Sequence, residues 1–234
     1  MTGTLYGLGV GPGDPELITI KALNILKGAP VIAYPAPDTG DSLARSIAAP
    51  HLPGGQVEIA IKMPMVVERF PAQDVYDRYA GEIADHLEAG RDVALICEGD
   101  PFLYGSFMYM YQRLAPTHDV VVVPGVSSVG ACAAVAGIPL VSRNQVLSVV
   151  PAPIEEEELE RRLAATDAAA IMKVGRHLDK VRRVLDRLGR ADDAWYVERA
   201  TMESERVLPL KEFDADKAPY FSMILVRRQE EVER

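Results

Sequence analysis

The sequence is poor in cysteine, in aromatic residues and in positive charge, and it holds no long uninterrupted apolar run. Only two cysteines occur in 234 residues, Cys97 within VALIC and Cys132 within VGACAAVAG. Apolar settings of this kind suit buried free thiols in a reducing cytosol and exclude a disulfide framework. The four histidines, His51, His86, His118 and His177, have no paired spacing, so no metal site is expected. Basic residues number 25 against 34 acidic ones, a formal net charge of −9. A general nucleic-acid binder needs a basic face to displace counterions, and such partners are not expected. The longest apolar stretch, 129–141, is interrupted by Gly130, Gly137 and Pro139 and falls short of the ~18–20 residues of a membrane span. The opening segment MTGTLYGLGVGPGD lacks a basic region, so no signal peptide is expected either. These absences point to a cytoplasmic protein with no membrane partner.

What is present is an ordinary globular composition with a regular rhythm. The first half alternates short apolar runs with helical periodicity. Strands are expected at 4–10, 31–34, 57–61, 92–97 and 120–123. Helices are expected from Pro15 (capped by Asp14), over 42–49, 73–89 and 106–114, and over the small-residue segment 127–136. Continuous apolar strands such as Val93–Cys97 are those of a parallel sheet covered on both faces. The second half has strands at 146–150, 168–173, 194–199, 205–209 and 220–226, with only two strong helices among them, 155–165 and 178–188. More strands than crossover helices means that some pairs are antiparallel. The expected fold class is therefore α/β with two α/β domains. An N-terminal, open, mostly parallel doubly wound sheet spans 1–124, and a C-terminal mixed sheet with helices spans 125–234. The acidic run Glu155–Glu158 reads as a helix N-terminus, and the tail QEEVER is expected to fray.

Three Gly/Pro-rich segments follow apolar strands: GLGVGPGDPEL at 7–17, CEGDPFLYGS at 97–106 and PGVSSVGACAAVAGIPL at 124–140. Ligands of open α/β sheets bind beyond the carboxyl ends of the strands, so these loops are a candidate site; each alone reads equally well as a tight turn and cap. They do not form a dinucleotide fingerprint. Counting Gly-x-Gly-x-x-Gly from Gly9 puts Asp14 at the third glycine, and counting from Gly7 puts Pro12 there. Phosphate cradles need backbone N–H donors. Pro12, Pro15 and Pro101 remove donors, while Asp14 and Asp100 add negative charge. A polar, partly cationic ligand without phosphates fits better.

Taken in order, these segments resemble the tetrapyrrole methylase family, the class III methyltransferases. The resemblance lies in Gly9–Pro15 (GxGPGDP), Gly99–Gly105 (GDPxxYG), Pro124–Leu140, Met172–Gly175 (MKVG), ERATMESERVLPL and PYFSMILV, and it runs along essentially the whole chain. It implies two α/β domains, a homodimer, and S-adenosylmethionine held in a cleft between the domains and left as S-adenosylhomocysteine. Carried over residue by residue, the cofactor contacts are Pro12, Glu98, Gly99, Asp100, Leu103, Ser127, Ser128, Lys173, Val174 and Ala200, many of them through backbone atoms. Asp14 would look toward a tetrapyrrole substrate. Tyr34-Pro35, Lys62-Met63-Pro64, CEGDPFLYGSFMYMY and WYVERATM resemble the branch of the family that methylates the C20 meso carbon of precorrin-2. Its members share these motifs whether the substrate is metal-free or carries cobalt.

An electron-rich meso carbon needs no strong base to attack a sulfonium methyl, and orientation alone supplies ~7–11 kcal/mol of such a barrier. No indispensable general base is expected, and Asp14 and Glu98 are the catalytic candidates for a modest share in proton removal. Substrate carboxylates call for cations. Arg45, Lys62, Arg69, Arg143, Lys173, Arg176 and Arg199 are available, with Arg143 and Lys173 ranked first; solvated surface charge is the alternative for each. The cluster Met108-Tyr109-Met110-Tyr111 suits either a wall for a flat macrocycle, through Tyr109, or core packing. Other readings are a methyltransferase acting on protein or RNA, a non-catalytic module binding the cofactor or a tetrapyrrole, and a nicotinamide oxidoreductase.

Overall fold

The computed structural model describes residues 2–63 and 70–228. Arg69, Pro64 and the 229–234 tail lie outside the described residues. The chain divides into two compact units, Met1–Ser128 and Val129–Arg234.

In the first unit, β1 (Leu5–Gly9), β2 (Val31–Pro37), β3 (Val57–Met63), β4 (Val93–Cys97) and β5 (Val120–Val123) form one sheet in the order β3-β2-β4-β1-β5. Every pairing in it is parallel. β4 is buried at each residue, as its unbroken apolar run requires. Alternation sends its side chains to opposite faces. Val93, Leu95 and Cys97 join a core with α3 (Phe70–Glu88) and α4 (Phe107–Leu114), and Ala94 and Ile96 join one with α1 (Ile20–Gly28) and α2 (Leu43–Ala48). Helices therefore cover both faces, the doubly wound arrangement expected from the sequence.

One local expectation is corrected. Pro15 does not begin a continuous helix; Asp14 caps a single 3-10 turn, Pro15–Leu17, its carboxylate accepting the Glu16 N–H at 2.8 Å. Ile18 then returns to extended backbone and is buried in the α1/α2 core. Thr19 is the true cap of α1, its hydroxyl accepting the Ala22 N–H at 3.3 Å. Two capping residues stand five positions apart, and the pull of Ile18 into the core decides which of them starts the helix.

In the second unit, β6 (Leu147–Pro151), β7 (Ala168–Met172), β8 (Ala194–Glu198), β9 (Arg206–Pro209) and β10 (Ser222–Arg227) are ordered β6-β7-β10-β8-β9. β6 and β7 are parallel and the other pairs antiparallel, so the sheet is mixed. α6 (Glu156–Ala164) and α7 (Leu178–Arg187) cover one face. Val129 and Cys132 of α5 (Ser128–Ala136) pack on the other. The acidic run opens α6, where Glu156 meets Arg183 and Arg187 of α7 at 2.7 and 2.8 Å. Arg190, only 2% exposed, closes the turn from α6 to β7 by donating to the carbonyls of Leu163, Thr166 and Asp167 at 2.8–3.0 Å.

Candidate functional site

Parallel pairing brings the carboxyl ends of β4, β1 and β5 side by side, and the three Gly-rich loops leave from those ends. There the backbones nearly touch. A Cβ on Gly9 would lie 2.5 Å from the Gly99 carbonyl oxygen and 2.6 Å from Gly125 Cα; one on Gly125 would lie 2.1 Å from that same oxygen. Gly11 and Gly99 exchange N–H···O bonds of 2.8 and 3.3 Å, and both have left-handed backbone, φ +80° and +64°. The glycines are required because three loops cross at one point.

Asp100 ties this junction together. One carboxylate oxygen accepts the N–H groups of Phe102 and Leu103 at 2.9 and 3.2 Å, and the other accepts the Gly125 N–H at 3.1 Å. Its charge is thus engaged by the protein's own backbone. Glu98 is partly buried and accepts the Ala44 N–H of α2 at 3.2 Å. Burial pushes its carboxyl above the usual carboxylate range, against the opposing pull of its backbone hydrogen bonds. Asp14 is held by its turn at Glu16. Leu103 is 38% exposed, and Tyr104 beside it has φ +57°. Pro12, Ser127 and Ser128 are partly buried. The segments 7–17, 97–106 and 124–128 contain no Lys, Arg or His. Backbone dipoles, carboxylates and apolar side chains without a cation suit a cationic, phosphate-free ligand such as a sulfonium nucleoside, and disfavour a phosphate.

The sequence-derived candidates of the second unit fall into two places. Lys173 and Val174 follow β7, and Ala200 follows β8 and Arg199. Because β7 and β8 are both antiparallel to the β10 that lies between them, these residues share one edge of the sheet. Val174 is fully buried and Ala200 is 6% exposed, so neither presents its side chain to solvent. Arg143 lies elsewhere. The loop carrying it is tied to the opposite edge, where Val146 donates to Asp167 at 2.7 Å and Arg227 donates to the Pro139 carbonyl. The second unit does not bring Arg143 and Lys173 together.

Three other residues have structural partners. Tyr109 packs against Tyr76 of α3, the rings tilted by 31° with centroids 4.9 Å apart, and is 39% exposed; Met110 between the tyrosines is buried in the α3/α4 core. Arg45 forks onto Glu58 at 2.9 and 3.1 Å, and Tyr34 donates to the same carboxylate at 2.8 Å. Burial, then Glu58, raises the Tyr34 phenol above its ordinary value. Both cysteines are buried and free, with Cys132 pushed up to about 12 by desolvation. Among the described residues no His/Cys/Asp/Glu cluster forms a metal site, and no helix is long and apolar enough to cross a membrane.

The model of the tetrapyrrole (corrin/porphyrin) methylases matches residues 4–215, which include all three loops and the shared edge of the second sheet. The chain belongs to the tetrapyrrole methylase family. It is 45% identical over 232 residues to the precorrin-2 C(20)-methyltransferase of a Sinorhizobium species, covering 96% of this chain and 95% of that one. It is equally identical to the cobalamin biosynthesis protein CobIJ of Mycobacterium tuberculosis, of which it covers 46%; the chain spans about half the length of the first curated relatives it matches. The cobalt-precorrin-2 C(20)-methyltransferase of Salmonella typhimurium is 34% identical, with 98% of each chain covered. A uroporphyrin-III C-methyltransferase from Thermus thermophilus, solved with S-adenosylhomocysteine, shares the fold at TM-score 0.70 and 26% identity over 96% of this chain and 92% of that one. Two features of the family's loops escaped the reading of the sequence. The three-way tie at Asp100 and the contact of Gly9 with Gly125 join residues far apart in the chain, and only the ordered glycines hinted at them.

Proposed function

We propose that this protein transfers a methyl group from S-adenosylmethionine to the C20 meso carbon of precorrin-2, giving precorrin-3A in cobalamin biosynthesis. The observation that carries the proposal is the 45% identity, end to end, with an enzyme of that name. The lower identity, 34%, to the cobalt-precorrin-2 enzyme favours the metal-free substrate, and the cobalt-containing one is the alternative. S-adenosylmethionine supplies an electrophilic methyl on a sulfonium. The chain's part is to bind and orient. Pro12, Glu98, Gly99, Asp100, Leu103, Ser127 and Ser128 contribute cofactor contacts from the first unit. Lys173, Val174 and Ala200 contribute them from the second, through backbone atoms. Asp14, Arg143, Lys173 and Tyr109 are the proposed substrate contacts. With Asp14 and Asp100 engaged by backbone N–H groups, catalysis rests on positioning, and Glu98 gives at most modest help with the departing proton. We also infer domains at 1–124 and 125–234, a homodimer and a cytoplasmic location; the buried free thiols support a reducing compartment.

The test is an anaerobic incubation with S-adenosylmethionine and either precorrin-2 or cobalt-factor II, followed by mass spectrometry. A product one methyl heavier, with preference for precorrin-2, is expected. If neither substrate gains a methyl while S-adenosylhomocysteine still binds, the fold and the cofactor stand and the precorrin-2 substrate is abandoned.

A further inference from the structure

Between β8 and β9 the chain turns over residues 199–205, and this loop carries Ala200, a cofactor contact of the proposed function. Alternation along β8 sends Tyr196 to the face covered by α6 and α7, and Val197 to the face covered by α5. Glu198 belongs with Tyr196, whose hydroxyl donates to its carboxylate at 2.8 Å. Had the strand run on, Ala200 would lie on that face too. Instead it packs with Val197, Met223 and Cys132 on the α5 face. The change of face comes at Arg199, whose backbone is left-handed, φ +49°. Thr201, on the other side of Ala200, is left-handed as well, φ +69°. A residue with a Cβ is strained there, a β-branched one most of all. Ala200 is therefore held between two turns that the chain would not keep unaided.

Each turn has its own fastening. The Arg199 N–H donates to the carbonyl of Phe221, just before β10, at 2.9 Å. The Thr201 N–H donates across the loop to the Glu205 carboxylate at 2.5 Å. The remaining bonds within the loop join neutral backbone groups, Met202 N–H to the Arg199 carbonyl at 3.1 Å and Glu205 N–H to the Met202 carbonyl at 3.0 Å. Glu205 is half-buried. Burial first, then the charge of Glu205, raises the Cys132 thiol of α5, so this carboxylate lies toward the face that Ala200 joins. Strain on both sides of a cofactor contact, locked by one half-buried carboxylate, is the mark of a loop organised before its ligand arrives.

We infer that Glu205 is a positioning residue for S-adenosylmethionine, its carboxylate fixing the Thr201 turn and so keeping Ala200 where it meets the cofactor. This rests on the reading of Ala200 as a cofactor contact. Without the carboxylate the strained turn relaxes, the binding-competent loop becomes a minority, and affinity falls by the fraction lost. Glu205 acts through the loop and takes no part in methyl transfer, so turnover at saturating cofactor is kept.

The experiment compares Glu205→Ala, Glu205→Asp and Glu205→Gln with Glu203→Ala, which removes an exposed charge from the same loop. Affinity for S-adenosylhomocysteine is measured by calorimetry at a temperature where melting shows each variant folded. KM for S-adenosylmethionine and kcat come from the methyl-transfer assay. Glu205→Ala is expected to weaken binding and raise KM about tenfold, the worth of one charge-assisted hydrogen bond, with kcat within twofold of the parent. Glu205→Gln keeps an acceptor oxygen and should recover part of the affinity. Glu205→Asp, one methylene short, should weaken binding in the same sense and decides the matter if Glu205→Ala does not fold. Glu203→Ala should bind as the parent does. Parental affinity in both Glu205→Ala and Glu205→Asp, no recovery in Glu205→Gln, an equal loss in Glu203→Ala, or a fall in kcat with affinity intact would each overturn the role. A parent that binds no S-adenosylhomocysteine removes the cofactor reading and this role with it. A parent that binds but transfers no methyl loses only its substrate, and calorimetry still decides on Glu205.

Discussion

At the scale of single residues, the site of the first unit is held by crowding and by one carboxylate. Gly125→Ala would force a methyl to within 2.1 Å of the Gly99 carbonyl oxygen. Because backbone surrounds it, nothing flexible can yield, and the loss should reach or exceed the ~1–3 kcal/mol typical of overpacking; urea denaturation measures it. Asp100→Ala strips the acceptor from three backbone N–H groups; because water replaces it at the exposed Phe102 and Leu103, the substitution is expected to cost about 1–3 kcal/mol, that of the one part-buried group, the Gly125 N–H. It should also weaken S-adenosylhomocysteine binding at least tenfold by calorimetry, whereas Asp100→Asn, keeping one acceptor oxygen, falls between. Glu98 gives a pH signature. Its folded-state pKa is raised by burial, so its contribution to stability is fully present below the unfolded-state value and is lost as pH rises through the folded one. Glu98→Gln should therefore flatten the decline in urea midpoint from about pH 4 upward and leave the variant the more stable of the two at neutral pH. A steeper decline in the variant would contradict this.

At the scale of elements, periodicity carried most of the information. The buried run of β4, the strand β5 and the helix α4 stand within a residue or so of where apolar spacing put them. Spacing between Gly, Pro and Asp marked the loops as well. What it did not resolve was competition between neighbouring signals, as at Asp14 and Thr19, where two good caps are separated only by the burial of Ile18. Contacts across the chain were equally hidden. Nothing in the local sequence marks Arg190, which is buried after α7 and holds three carbonyls of the α6–β7 turn. Arg190→Ala is expected to destabilise by about 3 kcal/mol, since hydrogen bonds to charged groups are worth ~1.5–3 kcal/mol. Arg190→Lys should recover only part of this, because an ammonium lacks the planar fork that reaches all three acceptors. By contrast, Arg187→Ala on the solvent side of α7 removes only exposed pairs and should leave Tm unaltered within error.

At the scale of the whole molecule, ligand linkage tests the cofactor reading without any tetrapyrrole. S-adenosylhomocysteine at a hundred times its dissociation constant should add ~2.7 kcal/mol of stability, read as a rise in Tm, while a nicotinamide dinucleotide should add none. A rise with the dinucleotide alone would revive the oxidoreductase reading that the glycine spacing disfavoured. The order of strands in the second sheet bears on how the protein is made. β10 lies between β7 and β8, hydrogen-bonded to both, although it is the last of the five in the chain. As the polypeptide leaves the ribosome, β7 and β8 each wait with an unpaired edge until residues 222–227 emerge. For that interval the nascent second unit offers two adhesive flanks to passing chains and to chaperones. A premature stop anywhere before Ser222 is then as damaging as one near the middle, because it removes the strand on which the sheet closes.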